Sequence, residues 1–154
     1  MKISIIAVLV ALTGSAVHAQ DVYAGVAFDY AKPHSGDDQT AATLMAGVSY
    51  DVGTLSFGAE VDYGASSTFG GDYYTARLRL IGGYDFGGVT ALASVGGTRY
   101  DTGADAFTGY NFGIGAQIPI SDALDVRAEI MRDMMETSFL NNVTTTRIAA
   151  IYSF

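Results

Sequence analysis

Residues 74–86 read YTARLRLIGGYDF. Every second position, Tyr74, Ala76, Leu78, Leu80, Gly82, Tyr84 and Phe86, is apolar, aromatic or small, and Arg77 and Arg79 fall between them. A strand, with its side-chain period of two, puts the arginines on one side and the leucines on the other; a period of 3.6 would mix them. The fold turns on which of those two sides faces outward.

The same alternation recurs along most of the chain. Asp21–Tyr30 places Val22, Ala24, Val26, Phe28 and Tyr30 on one face. Equivalent runs span 43–51, 55–63, 89–100, 108–118, 124–132 and 144–154, with Leu92 interrupting the fifth strand-like face at 89–100. The reading is eight strands and no helix. Three connections are tight and carry Gly, Asp or Pro where the backbone must bend: Asp51–Thr54, Asp85–Gly88 and Pro119–Ala123. The other four, 31–42, 64–72, 101–107 and 133–143, are longer and more polar. Short turns at one end and long loops at the other are the pattern of a barrel that crosses the bacterial outer membrane, turns in the periplasm and loops outside.

Composition agrees with an export route and excludes several chemistries. The 154 residues are 49% hydrophobic and only 16% charged, and include no Cys, so a disulfide scaffold, a thiolate metal site and a Cys nucleophile are ruled out. A formal net charge of -8 argues against nucleic acid as a partner, since backbone binding needs clustered Lys and Arg. Residues 1–19 read as a signal peptide: Met1-Lys2, an apolar run from Ile3 to Leu12, and a cleavage site after Ala19. The run is shorter than the ~20 residues a membrane helix requires. Residues 20–154 then form one domain, the barrel.

A soluble barrel alternates too, with its apolar face turned inward. Three features favour the opposite assignment. The non-apolar face mixes small residues with both charges, among them Gly25, Asp29, Gly47, Glu60, Asp62, Arg77, Arg79, Gly113, Gly115, Arg127, Glu129 and Arg147. That suits the narrow interior of eight strands, just wide enough to be filled by side chains. Aromatics mark both ends of the apolar face: Tyr30, Tyr63, Tyr74 and Tyr110 near the loops, and Tyr50, Tyr84, Phe86, Tyr152 and Phe154 near the turns. Between them the face carries no charge. Turning Arg77, Arg79, Arg127 and Arg147 to lipid would cost on the order of 10 kcal/mol. The expectation is an all-β, eight-stranded antiparallel up-and-down transmembrane β-barrel. Inside it, pairing Tyr63 with Tyr74 sets Glu60 opposite Arg77, and Arg127, Glu129 and Arg147 form a second group on the last two strands. Structural pairing of these charges is preferred to the alternative of a charged filter in a pore.

The stretch 109–131, GYNFGIGAQIPISDALDVRAEIM, resembles the late hairpin of small outer-membrane barrels, in which a Gly-x-Gly strand meets a short turn and then Arg-x-Glu; here those positions are Gly113, Gly115, Arg127 and Glu129. Ile148, Tyr152 and the terminal Phe154 look like the assembly signal read by the barrel-insertion machinery. The whole of 21–154 is similar to the family that includes the outer membrane protein A transmembrane domain and the opacity-type adhesins, although Ile130 stands where that family often has Tyr. The resemblance implies outer-membrane lipid and the insertion machinery as partners, no cofactor, and loops whose partner is unspecified.

Catalysis has little support in the residues. His34 lies beside Ser35, Asp37 and Asp38 in one loop, without the rigid spacing a triad needs. Met131, Met134 and Met135 read as packing and surface residues, and Phe139-Leu140 as a loop contact site or a rim-packing pair. The leading functional reading is a non-catalytic outer-membrane barrel with a structural or surface-interaction role. A narrow channel and a soluble periplasmic ligand-binding barrel are the alternatives; lipid A modification through His34 is a more distant one.

Overall fold

The computed structural model describes residues 20–34, 37–66, 73–103, 105–135 and 142–154. The signal segment 1–19 and the pair Phe139-Leu140 lie outside them. Eight strands run in chain order: β1 (Gln20–Pro33), β2 (Gln39–Val52), β3 (Leu55–Ser66), β4 (Tyr73–Asp85), β5 (Thr90–Asp101), β6 (Ala106–Pro119), β7 (Leu124–Met135) and β8 (Val143–Ser153). Each pairs antiparallel with the next, and β8 returns to β1, so the sheet is a closed barrel. Closure removes the unpaired edges that an open sheet would present.

The face assignment is decided by exposure. Leu78, Ile114 and Phe57 are 61%, 67% and 54% exposed on the outer wall, whereas Arg79 and Arg147 are fully buried in the lumen. A soluble barrel with an apolar interior is therefore excluded. The two aromatic belts lie where expected, and their rings touch: Tyr63 stacks on Tyr74 at 6.0 Å, and Tyr152 meets Phe154 edge-on at 5.2 Å. Leu92, the residue that breaks the β5 pattern, points inward.

Strands β1, β2, β3, β6 and β7 extend two to four residues further toward the loops than the alternation suggests, β2 furthest, beginning at Gln39 and so shortening the expected loop 31–42 from its far end as well. Ala31–Pro33, Gly64–Ser66 and Asp133–Met135 belong to strands, so the loops beginning at 31, 64 and 133 start later. Past the aromatic belt the outer face meets water while the inner face packs Ala31, Ser66 and Met135 into the lumen, so the apolar-out, polar-in contrast that marks a strand fades while its ladder hydrogen bonds continue.

The turns use the glycines that their backbone demands. Gly53 closes the β2–β3 link with φ +66°, and Gly87 and Gly88 close β4–β5 with φ +83° and +118°. Asp85 fixes the latter turn by accepting the Gly87 N–H at 2.8 Å.

Candidate functional site

Among the described residues the lumen holds four arginines, Arg77, Arg79, Arg127 and Arg147, and five buried carboxylates, Asp29, Glu60, Asp62, Glu129 and Asp133. They form one connected network. Near the turn end, Glu60 accepts Arg127 Nη1 at 2.6 Å, the Tyr23 hydroxyl at 2.9 Å and a bond from Arg79. Arg79 Nη1 and Nη2 also grip Glu129, at 2.9 and 3.1 Å. In the middle, Arg147 takes both oxygens of Asp29 at 2.7 Å and one of Asp62 at 3.0 Å. Toward the loops, Arg77 grips Asp133 at 2.9 and 3.2 Å, and Tyr100 donates to the same carboxylate at 2.8 Å. Forked guanidinium-carboxylate contacts of this kind hold both charge and geometry, which a buried ion needs to offset its lost hydration.

Two expectations about this network need correction. Glu60 lies opposite Arg79, not Arg77, and Tyr63 lies opposite Ala76. A shift of two residues leaves every side chain on its own face, so alternation cannot distinguish the registers. The register found sets two opposite-charge pairs across β3–β4, Glu60 with Arg79 and Asp62 with Arg77, where the expected one sets a single pair. Nor do Arg127, Glu129 and Arg147 form a separate group: Glu60 and Asp62 tie them to β3 and β4.

Both ends of the lumen add residues that the sequence reading did not single out. At the loop end Ala31, Ala41, Tyr73, Tyr100, Met135 and Val143 pack into an apolar plug, with Tyr73 and Tyr100 stacked at 6.1 Å. At the turn end a vestibule of about 240 Å³, lined in part by Asp21, Asp51, Asp85 and Asp125, stops at Tyr23 and Arg127. The alternation alone places Asp133 in a loop and gives Tyr23, Tyr73 and Tyr100 no role. The signal was present as parity: Tyr23 and Asp29 share a face, as do Tyr73 and Arg77.

Tyr23 reaches Glu60 by lying across Gly47, its register partner on β2. A Cβ at position 47 would overlap the Tyr23 ring and come within 2.8 Å of the Ala59 carbonyl oxygen. Gly47→Ala is thus expected to destabilise the folded barrel by about 1–3 kcal/mol in urea titrations in detergent or lipid. Tyr23→Ala combined with Gly47→Ala should show less than the sum of the two losses; strict additivity would disprove the steric coupling.

The remaining expected site residues are elsewhere. Ile148, Tyr152 and Phe154 are exposed on the outer wall of β8 and just past its end. His34 is exposed at the end of β1, and Asp38 accepts a bond from the Tyr30 hydroxyl; Ser35 is outside the described residues.

No protein-family model matches the sequence, and no curated protein sequence does. Solved structures do match. Ail, the attachment invasion locus protein of Yersinia pestis, aligns over 90% of this chain and 100% of its own with a TM-score of 0.65 at 12% identity. The chain has the fold of the small eight-stranded outer-membrane barrels. Neisserial surface protein A aligns over 88% of this barrel and 97% of its own chain, with a TM-score of 0.58 at 16% identity. The N-terminal β-barrel domain of Pseudomonas aeruginosa OprF gives 86%, 97%, 0.60 and 12% for the same quantities. At such identities the likeness concerns the path of the backbone, and the side chains that plug this barrel have to be read from its own sequence.

Proposed function

We propose that the protein is a non-catalytic, non-conducting barrel of the bacterial outer membrane that serves a structural or surface-contact role through its loops. The observation that supports this most is the filled lumen: a charge network spans its middle, and a tyrosine-rich plug covers its loop end. An aqueous path would have to break fully buried guanidinium-carboxylate bonds, each costly once a partner is lost. Residues 1–19 serve export as a cleaved signal, and Ile148, Tyr152 and Phe154 engage the insertion machinery. The exposed apolar wall between two aromatic belts supports the membrane location. The likeness to Ail, a protein named for attachment and invasion, favours contact at the cell surface over a purely architectural role.

Reconstitution in planar lipid bilayers tests the reading. Protein confirmed as folded by heat-modifiable gel mobility is expected to leave the membrane electrically silent. Stable stepwise conductance from the same preparation would instead establish the narrow-channel alternative.

A further inference from the structure

The few cations outside the lumen are not scattered. The sequence has eight Lys and Arg in all. Among residues 20–154, four of them are the lumen arginines, and Arg99 lies 3.8 Å from Asp101 on the wall. Lys32 and Arg132 remain. Among the described residues neither has a carboxylate within ion-pair distance, and both line one groove of about 370 Å³, together with His34 and the hydroxyl-bearing Tyr30, Thr144 and Thr146.

The register shows how the groove is built. Lys32 on β1 and Arg132 on β7 are both direct partners of Thr144 on β8, so the three form one row across three strands. Arg132 Nη1 donates to Thr144 Oγ1 at 3.3 Å. One rung toward the membrane centre the row is Tyr30, Thr146 and Ile130; the next is Phe28, Ile148 and Ala128. Phe28 and Ile148 are 59% and 62% exposed on the lipid-facing wall. Two residues of strand advance about 7 Å, so the cations sit one step beyond the tyrosine belt, at headgroup depth. The His34 N–H donates to the Asn142 carbonyl at 3.1 Å, which ties the β1 end to the start of β8 beside the groove.

We infer that this groove binds a phosphate of an outer-leaflet glycolipid, with the Arg132 fork and the Lys32 ammonium holding the anion between them and Thr144 and Thr146 donating to its oxygens. Arg and Lys supply complementary recognition here, one by a planar pair of donors and one as a point charge. An acyl chain of the same lipid would run down over Phe28 and Ile148, which favours a lipid over a free anion as the occupant. Isolated interfacial cations often do no more than reach for water. That explanation does not account for two cations, neither with a carboxylate partner among the described residues, converging on one three-strand row of a protein whose net charge is -8. Among the described residues the carboxylate that meets a groove residue, Asp38, accepts the Tyr30 hydroxyl and is not part of the lining.

The inference rests on the outer-membrane reading with the loop end outward, and the test separates the two. The barrel is reconstituted in phosphatidylcholine nanodiscs and titrated with diphosphorylated lipid A, with dephosphorylated lipid A, or with inorganic phosphate. Native mass spectrometry then counts the lipid retained. Expected is one retained lipid A per barrel, at least tenfold weaker retention in the double variant Lys32→Gln/Arg132→Gln, restoration in Lys32→Arg/Arg132→Lys, and a comparable loss when the lipid lacks phosphate. Equal retention by the wild type and the Gln variant, or equal retention of dephosphorylated lipid, overturns the site while the barrel reading stands. Displacement of the lipid by millimolar inorganic phosphate overturns the lipid as the preferred source. Failure of the wild type to insert in nanodiscs counts against the barrel reading itself.

Discussion

Replacing Arg147 with Met is expected to lower the unfolding free energy of the barrel in lipid vesicles by about 3–5 kcal/mol, the usual loss when one partner of a buried ion pair is removed. The size follows from what is left behind. Asp29 loses both of its 2.7 Å contacts and keeps the Thr43 hydroxyl at 2.9 Å, with Arg77 no closer than 3.8 Å. Asp62 keeps Arg77 at 3.4 Å and Arg79 at 3.6 Å, both longer than the bond it loses. The second half of the experiment is Asp29→Leu in the same background. Removing both charges leaves no uncompensated ion at that position, so the double variant should regain part of the stability lost by Arg147→Met alone. Urea-induced unfolding followed by intrinsic tyrosine fluorescence measures the wild type, Arg147→Met, Asp29→Leu alone and the double variant. A double variant no more stable than the additive expectation would show that Arg147 acts by filling space and not by its charge.

The second large effect lies on the opposite side of the sheet. Leu78 is 61% exposed and sits midway along β4, so Leu78→Arg would place a guanidinium against acyl chains near the membrane centre. The expected loss is about 2–4 kcal/mol in vesicles. Val52→Arg, at the β2–β3 turn, should cost only about 0–1 kcal/mol, because the interface tolerates charge. In detergent micelles, where the arginine can find water more easily, the gap between the two variants should shrink. Equal losses at both positions in vesicles would be incompatible with a lipid-facing wall at Leu78.

These residues also show what could be read before any coordinates and what could not. The fold class was legible because period-two alternation and charge placement are set by each strand locally: Arg77 and Arg79 between Ala76, Leu78 and Leu80 can satisfy lipid in one orientation only. Strand ends at the loop side were less legible, since past the belt the outward Lys32 is polar while the inward Ala31 and Met135 are apolar, the reverse of the pattern within the membrane. The register between β3 and β4 was not legible at all from alternation, because shifts by two conserve it. It could have been inferred by matching Glu60 and Asp62 to Arg79 and Arg77 together. The lumen network was half visible. Its arginines stood out as the wrong chemistry for the outer wall, but Asp133 pairs with Arg77 across 56 residues of sequence, and no local pattern points from one to the other. The plug was hidden for another reason: Tyr73 and Tyr100 look like belt residues until their parity places them inside.

Asp29 and Arg147 are direct partners across the β1–β8 junction, although 118 residues separate them. The first and last strands are therefore fastened by an ionic latch as well as by backbone ladder bonds. Until those two strands meet, Arg147 has no access to Asp29, and a half-assembled sheet must keep both charges hydrated. Ring closure and formation of this ion pair are thus a single event. Once the latch is shut, parting the junction sideways toward the lipid would separate Arg147 from Asp29, so the seam where the two ends of the sheet were joined resists opening.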